Sequence, residues 1–219
     1  MSDIPVYTQE GEQVDEIEVD SDVFGEEVNV PLLKQAITVY ESNQRQGSAN
    51  TKRRSDTAYS NQKPWPQKNT GRARHGERGS PIWVGGGLAF GPQPRDYSKK
   101  FPKKMRRQAL DNAFLAKLVD DQLKIIEDFD LSQPKTRVAQ EVLEEIGVAD
   151  DSLLILTDGH RRNAHLATRN LPDVELKPVE DANAYEVLQN KHTLIERSAF
   201  RSYAEERAKQ LHDITDGAE

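Results

Sequence analysis

For fifty-five residues, from Ser48 to Pro102, the chain shows neither the 3.6-residue nor the two-residue recurrence of apolar side chains that regular structure needs. With its flanks from Arg45 to Arg107, the stretch holds eight of the 13 glycines, six of the 11 prolines and both tryptophans. Compact domains seldom carry a structureless connection beyond about 15 residues unless it is functional or unstructured. Alone in water, this one has too little apolar surface to offset the entropy of ordering it. Two arms of about 25 residues could each reach roughly 80 Å at ~3.3 Å per residue, so a long protrusion is geometrically open. The expected organisation is a globular domain, residues 1–47 and 103–219, and an extended loop, residues 48–102, with its tip near 59–75.

The charge is segregated in the same way. The net charge is −7, yet Arg45 to Arg107 carries 16 Lys/Arg against three acids, a balance of +13, while the rest stands at −20. A short run of like charge is usually a solvated face. Sixteen cations in 63 residues instead point to a polyanion-binding segment on an acidic body, which confines polyanions to the basic part. There is no cysteine, hence no disulfide framework, thiolate metal site or cysteine nucleophile, in keeping with a reducing, cytoplasmic setting. No apolar run approaches the roughly 20 residues that span a bilayer, so no membrane partner is expected. The acidic start "MSDIPVYTQEGEQVDEIEVD" does not read as a targeting peptide.

Outside the loop, periodicity is clear. "PVYTQEG" and "DEIEVD" read as extended pieces around a turn. Asn29 is placed to cap a helix with Pro31 in its first turn and Leu33, Ile37 and Tyr40 at helical spacing. "KKMRRQALDNAFLAKLVDDQ" is an amphipathic helix with Leu110, Phe114 and Leu118 on one stripe. Its start carries Lys103, Arg106 and Arg107, which oppose the helix dipole unless a phosphate sits there. Then "LKIIEDF", "SLLILTD", "DVELKPV" and "HTLIER" read as strands alternating with helices over "TRVAQEVLEEIG", "HRRNAHLATRN", "NAYEVLQN" and "AFRSYAEERAKQLH". The expected class is α/β: a Rossmann-like, mainly parallel sheet covered by helices, interrupted by one long extended basic loop.

Two motifs invite chemical readings. "WVGGGLAFGP" lacks the Gly-Lys-Ser/Thr of a phosphate-binding loop and the spaced glycines of a dinucleotide fingerprint; its plainer reading is backbone that turns tightly or approaches another surface closely. "LTDGHRRNAH" follows a buried strand, where α/β enzymes place their sites, so Asp158, His160 and His165 could form a catalytic or metal group. The plainer reading makes Asp158 and Gly159 a turn, with Asp158 or a neighbour capping the next helix. No nucleophile–base set, carboxylate pair or metal-ligand spacing is recognisable elsewhere, and no cofactor is expected.

The basic stretch is more specific. Its cations neutralise phosphates, and Tyr59, Trp65, Trp83, Phe90, Tyr97 and Phe101 are interleaved as rings on which bases stack. "KPWPQKNTGRARHG" sets a tryptophan between two prolines, a detail that a tail selected for charge alone does not need. Folded RNA, with its crevices and unstacked bases, suits such an insertion better than a regular duplex.

"RQGSANTKRRSD" (45–56), "KPWPQKNTGRARHG" (63–76), "SPIWVGGGLAFGPQPRDYSKKFPKKMRRQAL" (80–110) and "LATRNLPDV" (166–174) together resemble the universal large-subunit ribosomal protein four family in its bacterial form. The resemblance runs through the whole loop at the right spacing and, more loosely, over the α/β body. It implies a non-enzymatic constituent of the cytoplasmic ribosome. The loop would thread ribosomal RNA until its tip lines the nascent-peptide exit tunnel, with neighbouring large-subunit proteins and the nascent peptide as further partners and a role in subunit assembly. Matched residue by residue, the implied RNA contacts are Arg45, Gln46, Lys52, Arg54, Lys63, Trp65, Lys68, Thr70, Arg72, Arg74, Lys99, Lys100, Lys103, Lys104 and Arg106. Two positions depart from the family pattern. Pro66 stands where a basic residue is usual, removing a charge and a backbone donor. Asn69 stands where glycine is usual, and asparagine is the residue after glycine most at ease with positive φ. Competing readings are an RNA-processing enzyme or translational regulator using Asp158 and His160, and an RNA chaperone in which only loop charge counts.

Overall fold

The computed structural model describes residues 2–19, 24–25 and 27–216. By mutual contact the chain divides into two units, Met1–Tyr40 with Lys100–Glu219, and Glu41–Lys99. The first unit is the α/β body. Strands β1 (Ser2–Tyr7) and β2 (Gln13–Val19) form an antiparallel hairpin with Ile4 opposite Ile17. Helix α1 (Val30–Gln44) starts as its sequence suggests: the Asn29 Oδ1 accepts the Leu32 N–H at 3.0 Å. It is followed by α2 (Lys103–Val119), β3 (Leu123–Ile126), α3 (Thr136–Ile146), β4 (Leu153–Thr157), α4 (Arg162–Thr168), β5 (Val174–Pro178), α5 (Ala184–Gln189), β6 (His192–Glu196) and α6 (Arg197–Asp216).

The sheet runs β2-β1-β3-β6-β4-β5, parallel throughout except for the β1–β2 hairpin. The expected α/β class is therefore found. Alternation along each central strand sends neighbouring side chains to opposite faces, and both faces are covered. Leu154 and Leu156 of β4 pack with Phe114 and Leu118 of α2 and with Ala199 and Phe200 of α6. Leu153 and Ile155 pack on the other side with Leu143 and Ile146 of α3 and Ala164 and Ala167 of α4. This double burial is why β4 is apolar at four successive positions, and α3 can turn into it because Gly147 takes a left-handed conformation (φ 76°).

Charge inside the body is handled by hydrogen bonding. The Tyr203 hydroxyl donates to Asp111 at 2.6 Å beside Arg207, and the buried Lys117 ammonium donates to Gln122 and to the Lys191 carbonyl. Glu196, at the end of β6, is wholly buried. One carboxylate oxygen accepts the Phe129 N–H at 3.1 Å, the other accepts the Asp158 N–H at 2.6 Å, and Arg161 lies 3.4 Å away. Because β6 sits between β3 and β4, this one side chain ties down the segments that leave both neighbours. Doubly wound enzymes bind ligands at such strand ends. Here the Glu196 carboxylate is taken up by the backbone amides of the two loops.

The expectation that Asp158 or a neighbour caps α4 is corrected. The cap position is Arg161, which makes no side-chain cap bond, and the Asp158 backbone is drawn to Glu196 instead. Gly159 (φ 79°) does make the expected turn.

Removing Glu196 strands two amides, each costing about 1–3 kcal/mol when left unpaired. Glu196→Ala is expected to lower the urea-unfolding free energy by about 2–4 kcal/mol. Glu196→Gln, which keeps one acceptor, should cost less. Equal midpoints for Glu196→Ala and the native chain would remove this anchoring role.

Candidate nucleic-acid interface

No helix or strand lies between Gln44 and Lys103, so the Glu41–Lys99 unit must be organised by other means. Its two arms are bonded to each other at intervals. Lys99 N donates to the Asn43 side chain at 2.7 Å, Arg95 N to Gly47 O at 3.2 Å, Thr51 N to Pro92 O at 3.1 Å and Leu88 N to Lys52 O at 2.9 Å. The spacing is too irregular for a β-ladder. Close backbone approach makes the bonds possible, and glycine makes the approach possible. A Cβ on Gly47 (φ 65°) would overlap the Arg95 carbonyl, one on Gly87 the backbone of Arg53 and Arg54, and one on Gly91 the Thr51 side chain. The triple glycine of "WVGGGLAFGP" thus works as a packing element.

The tip is closed by side chains. Lys63 Nζ donates to the His75 carbonyl at 3.1 Å and to Gln67, and the Trp65 indole N–H donates to the Ala73 carbonyl at 3.0 Å. The Trp65, His75 and Trp83 rings form a trio with centroids 5.0–5.9 Å apart, and the Arg72 guanidinium lies 5.5 Å from the Trp65 ring. Between the closing bonds, Asn69 (φ 68°) and Gly71 (φ 62°) reverse the chain, so asparagine does hold the left-handed conformation expected of it.

Nearer the body, Arg45 and Arg95 both lie over the Tyr97 ring, at 4.0 and 4.2 Å from its centre. A hydrogen bond from the Arg95 side chain, aided by both positive charges, holds the Tyr97 phenol below the usual tyrosine range. Arg54 pairs with Glu77 at 3.2 Å, leaving that cation partly neutralised.

The implied contact residues fall into three groups. Lys63, Trp65, Lys68, Thr70, Arg72 and Arg74 are brought together at the tip. Arg45, Gln46, Lys52 and Arg54 lie along one arm and Lys99 ends the other. Lys100, Lys103, Lys104 and Arg106 belong to the α/β unit, at and before the start of α2, whose first turn has no acid and whose Pro102 offers no side-chain cap. All are exposed except Trp65 and Thr70, which are half-buried.

Asp158, His160 and His165 are exposed on the body, and among the described residues no cluster of His, Cys, Asp or Glu has metal-binding geometry. No helix among the described residues is long and apolar enough to cross a membrane.

Comparison with known proteins gives the same direction. The profile described as "Ribosomal protein L4/L1 family" matches residues 17–206. The chain belongs to this family. Relatives include the large ribosomal subunit protein uL4 of Thermoanaerobacter sp. (strain X514), 42% identical over 199 residues, which covers 91% of this chain and 96% of that protein. The uL4 of Symbiobacterium thermophilum is 43% identical over 188 residues, covering 86% and 90%. The uL4 of Desulfatibacillum aliphaticivorans is 38% identical over 202 residues, covering 92% and 97%.

Within this L4/L1 family member, the residue-by-residue match omits three further exposed cations of the same unit, Arg53, Arg78 and Arg95. The Arg95–Asp96–Tyr97 sequence held the signal for one of them, because an arginine beside a tyrosine in a cation-rich arm is a candidate ring partner.

Gly47→Ala combines strained φ with backbone overlap and should cost more than about 1 kcal/mol of local order. Amide exchange at Arg95, Thr51 and Leu88 is expected to quicken by about tenfold, the equivalent of ~1.4 kcal/mol, while exchange in β4 stays unchanged. Unchanged exchange at Arg95 would show that the close approach at Gly47 does not hold the arms.

Proposed function

We propose that the basic segment, residues 48–102, binds large-subunit ribosomal RNA and that its tip, near 59–75, lines the nascent-peptide exit tunnel. As a member of the L4/L1 family, the chain is a structural, non-enzymatic constituent of the large ribosomal subunit. The observation that carries the finer reading is the set of exposed cations on a unit whose two arms are tied to each other by backbone hydrogen bonds at intervals. Apart from Arg54, which pairs with Glu77, these cations make no ion pair among the described residues and can meet phosphates, and the bonded arms present them in a defined arrangement. The contact set is Arg45, Gln46, Lys52, Arg54, Lys63, Trp65, Lys68, Thr70, Arg72, Arg74, Lys99, Lys100, Lys103, Lys104 and Arg106. The α/β body, residues 1–47 and 103–219, anchors the segment and meets neighbouring large-subunit proteins, and the insertion acts in subunit assembly. The tip faces the nascent peptide, with Pro66 giving that surface one positive charge fewer than the family pattern.

In a sucrose gradient the tagged chain should travel with large subunits; its absence from them would overturn the reading. With purified chain and transcribed large-subunit ribosomal RNA, log affinity should fall linearly with log salt. Changing Lys63, Lys68, Arg72 and Arg74 together to Ala should lower that slope by about 3 if each meets one phosphate. A slope that does not move would remove the tip from the interface. Deleting residues 59–75 should leave cooperative unfolding of the body intact, because neither core cluster includes a residue from that range. Its effect should appear instead as late-assembly particles.

A further inference from the structure

Among the described residues, four other than glycine have positive φ: Asn69, Phe90, Asp121 and Asp173. Asparagine and aspartate tolerate that region; a phenylalanine there (φ 54°) is strained. Strain in a folded chain is usually offset by packing, but Phe90 is fully exposed at 108% and its ring meets no other ring or cation among the described residues. The backbone on either side is fixed all the same. Leu88 N is bonded to Lys52 O, Thr51 bonds Pro92 O through both its amide and its hydroxyl, and Gln93 donates to Thr51 O at 2.9 Å. Gly91 lies so close to Thr51 that a side chain there would overlap it. A strained, rigid mount therefore holds an aromatic ring out into solvent. Its sequence neighbours, Ala89 and Gly91, are small enough to leave the ring faces open, and Lys52 and Arg53 stand exposed on the facing arm.

We propose that Phe90 is a base-stacking residue, and that its partner is an unpaired nucleobase of the RNA that the basic unit binds. The inference rests on the RNA-binding reading above and assigns it a ring that the residue-by-residue match does not include. Trp65, the ring in that match, also has partners in its own unit: its N–H is bonded to Ala73 and its indole meets His75 and Trp83. It shapes the tip. A stacked base accounts for Phe90 better than an apolar protein groove, because the surrounding run carries 16 cations against three acids. An apolar groove would have to desolvate those charges, whereas a nucleotide supplies a flat π-face and a phosphate together.

The test uses the full chain and transcribed large-subunit ribosomal RNA at several salt concentrations. Phe90→Ala should weaken binding by roughly 5- to 150-fold, the span measured for losing one base–aromatic stack, without changing the salt slope. Lys52→Ala should instead reduce that slope by about 1. Phe90→Tyr and Phe90→Trp should bind like the native chain, and Phe90→Leu, apolar but not planar, should resemble Phe90→Ala. Circular dichroism should be unchanged in all, since the ring packs on nothing. If the native chain binds and Phe90→Ala binds equally well, or Phe90→Leu restores binding, the stacking role is overturned while the RNA-binding reading stands. If the native chain does not bind, both fall.

Discussion

The two arms of the Glu41–Lys99 unit touch through their backbones because Gly47, Gly87 and Gly91 put no side chain between them. A segment this poor in apolar residues has no core to collapse upon, so direct main-chain contact orders its arms, as side-chain bonds and the ring trio order its tip. From that contact follow the staggered bonds between residues 47 and 95, 51 and 92, and 52 and 88. From those bonds follow the fixed directions in which the cations and Phe90 leave the chain. The glycines of this unit act as geometry rather than as flexibility.

The body obeys a different economy. Its central strands β3, β4 and β6 are buried on both faces, and the wholly buried Glu196 carboxylate spends both oxygens on backbone amides of flanking segments.

Much of the body was legible in the sequence because its signals are local. The unbroken apolar run of β4, the Asn29 cap and the Gly147 stop each depend on residues within one turn or one strand. Asn69 was legible for the same reason: few side chains other than glycine sit easily at its φ. Long-range partners were not legible. Asp158 looks like a helix cap until Glu196, thirty-eight residues away, takes its amide. The pairing of the arms left no periodic trace, since it depends on side chains that are missing. Residue type also could not tell a ring that faces its own chain, Trp65, from one that faces outward, Phe90.

The aromatic trio at the tip has an experimental corollary. Trp65 and Trp83 are the chain's two tryptophans, and both lie in the Glu41–Lys99 unit. Indole emission excited at the red edge of its band is therefore a private reporter of that unit. The body contributes nothing to it, whereas tyrosine emission mixes both units, since Tyr59 and Tyr97 share the unit that holds the tryptophans.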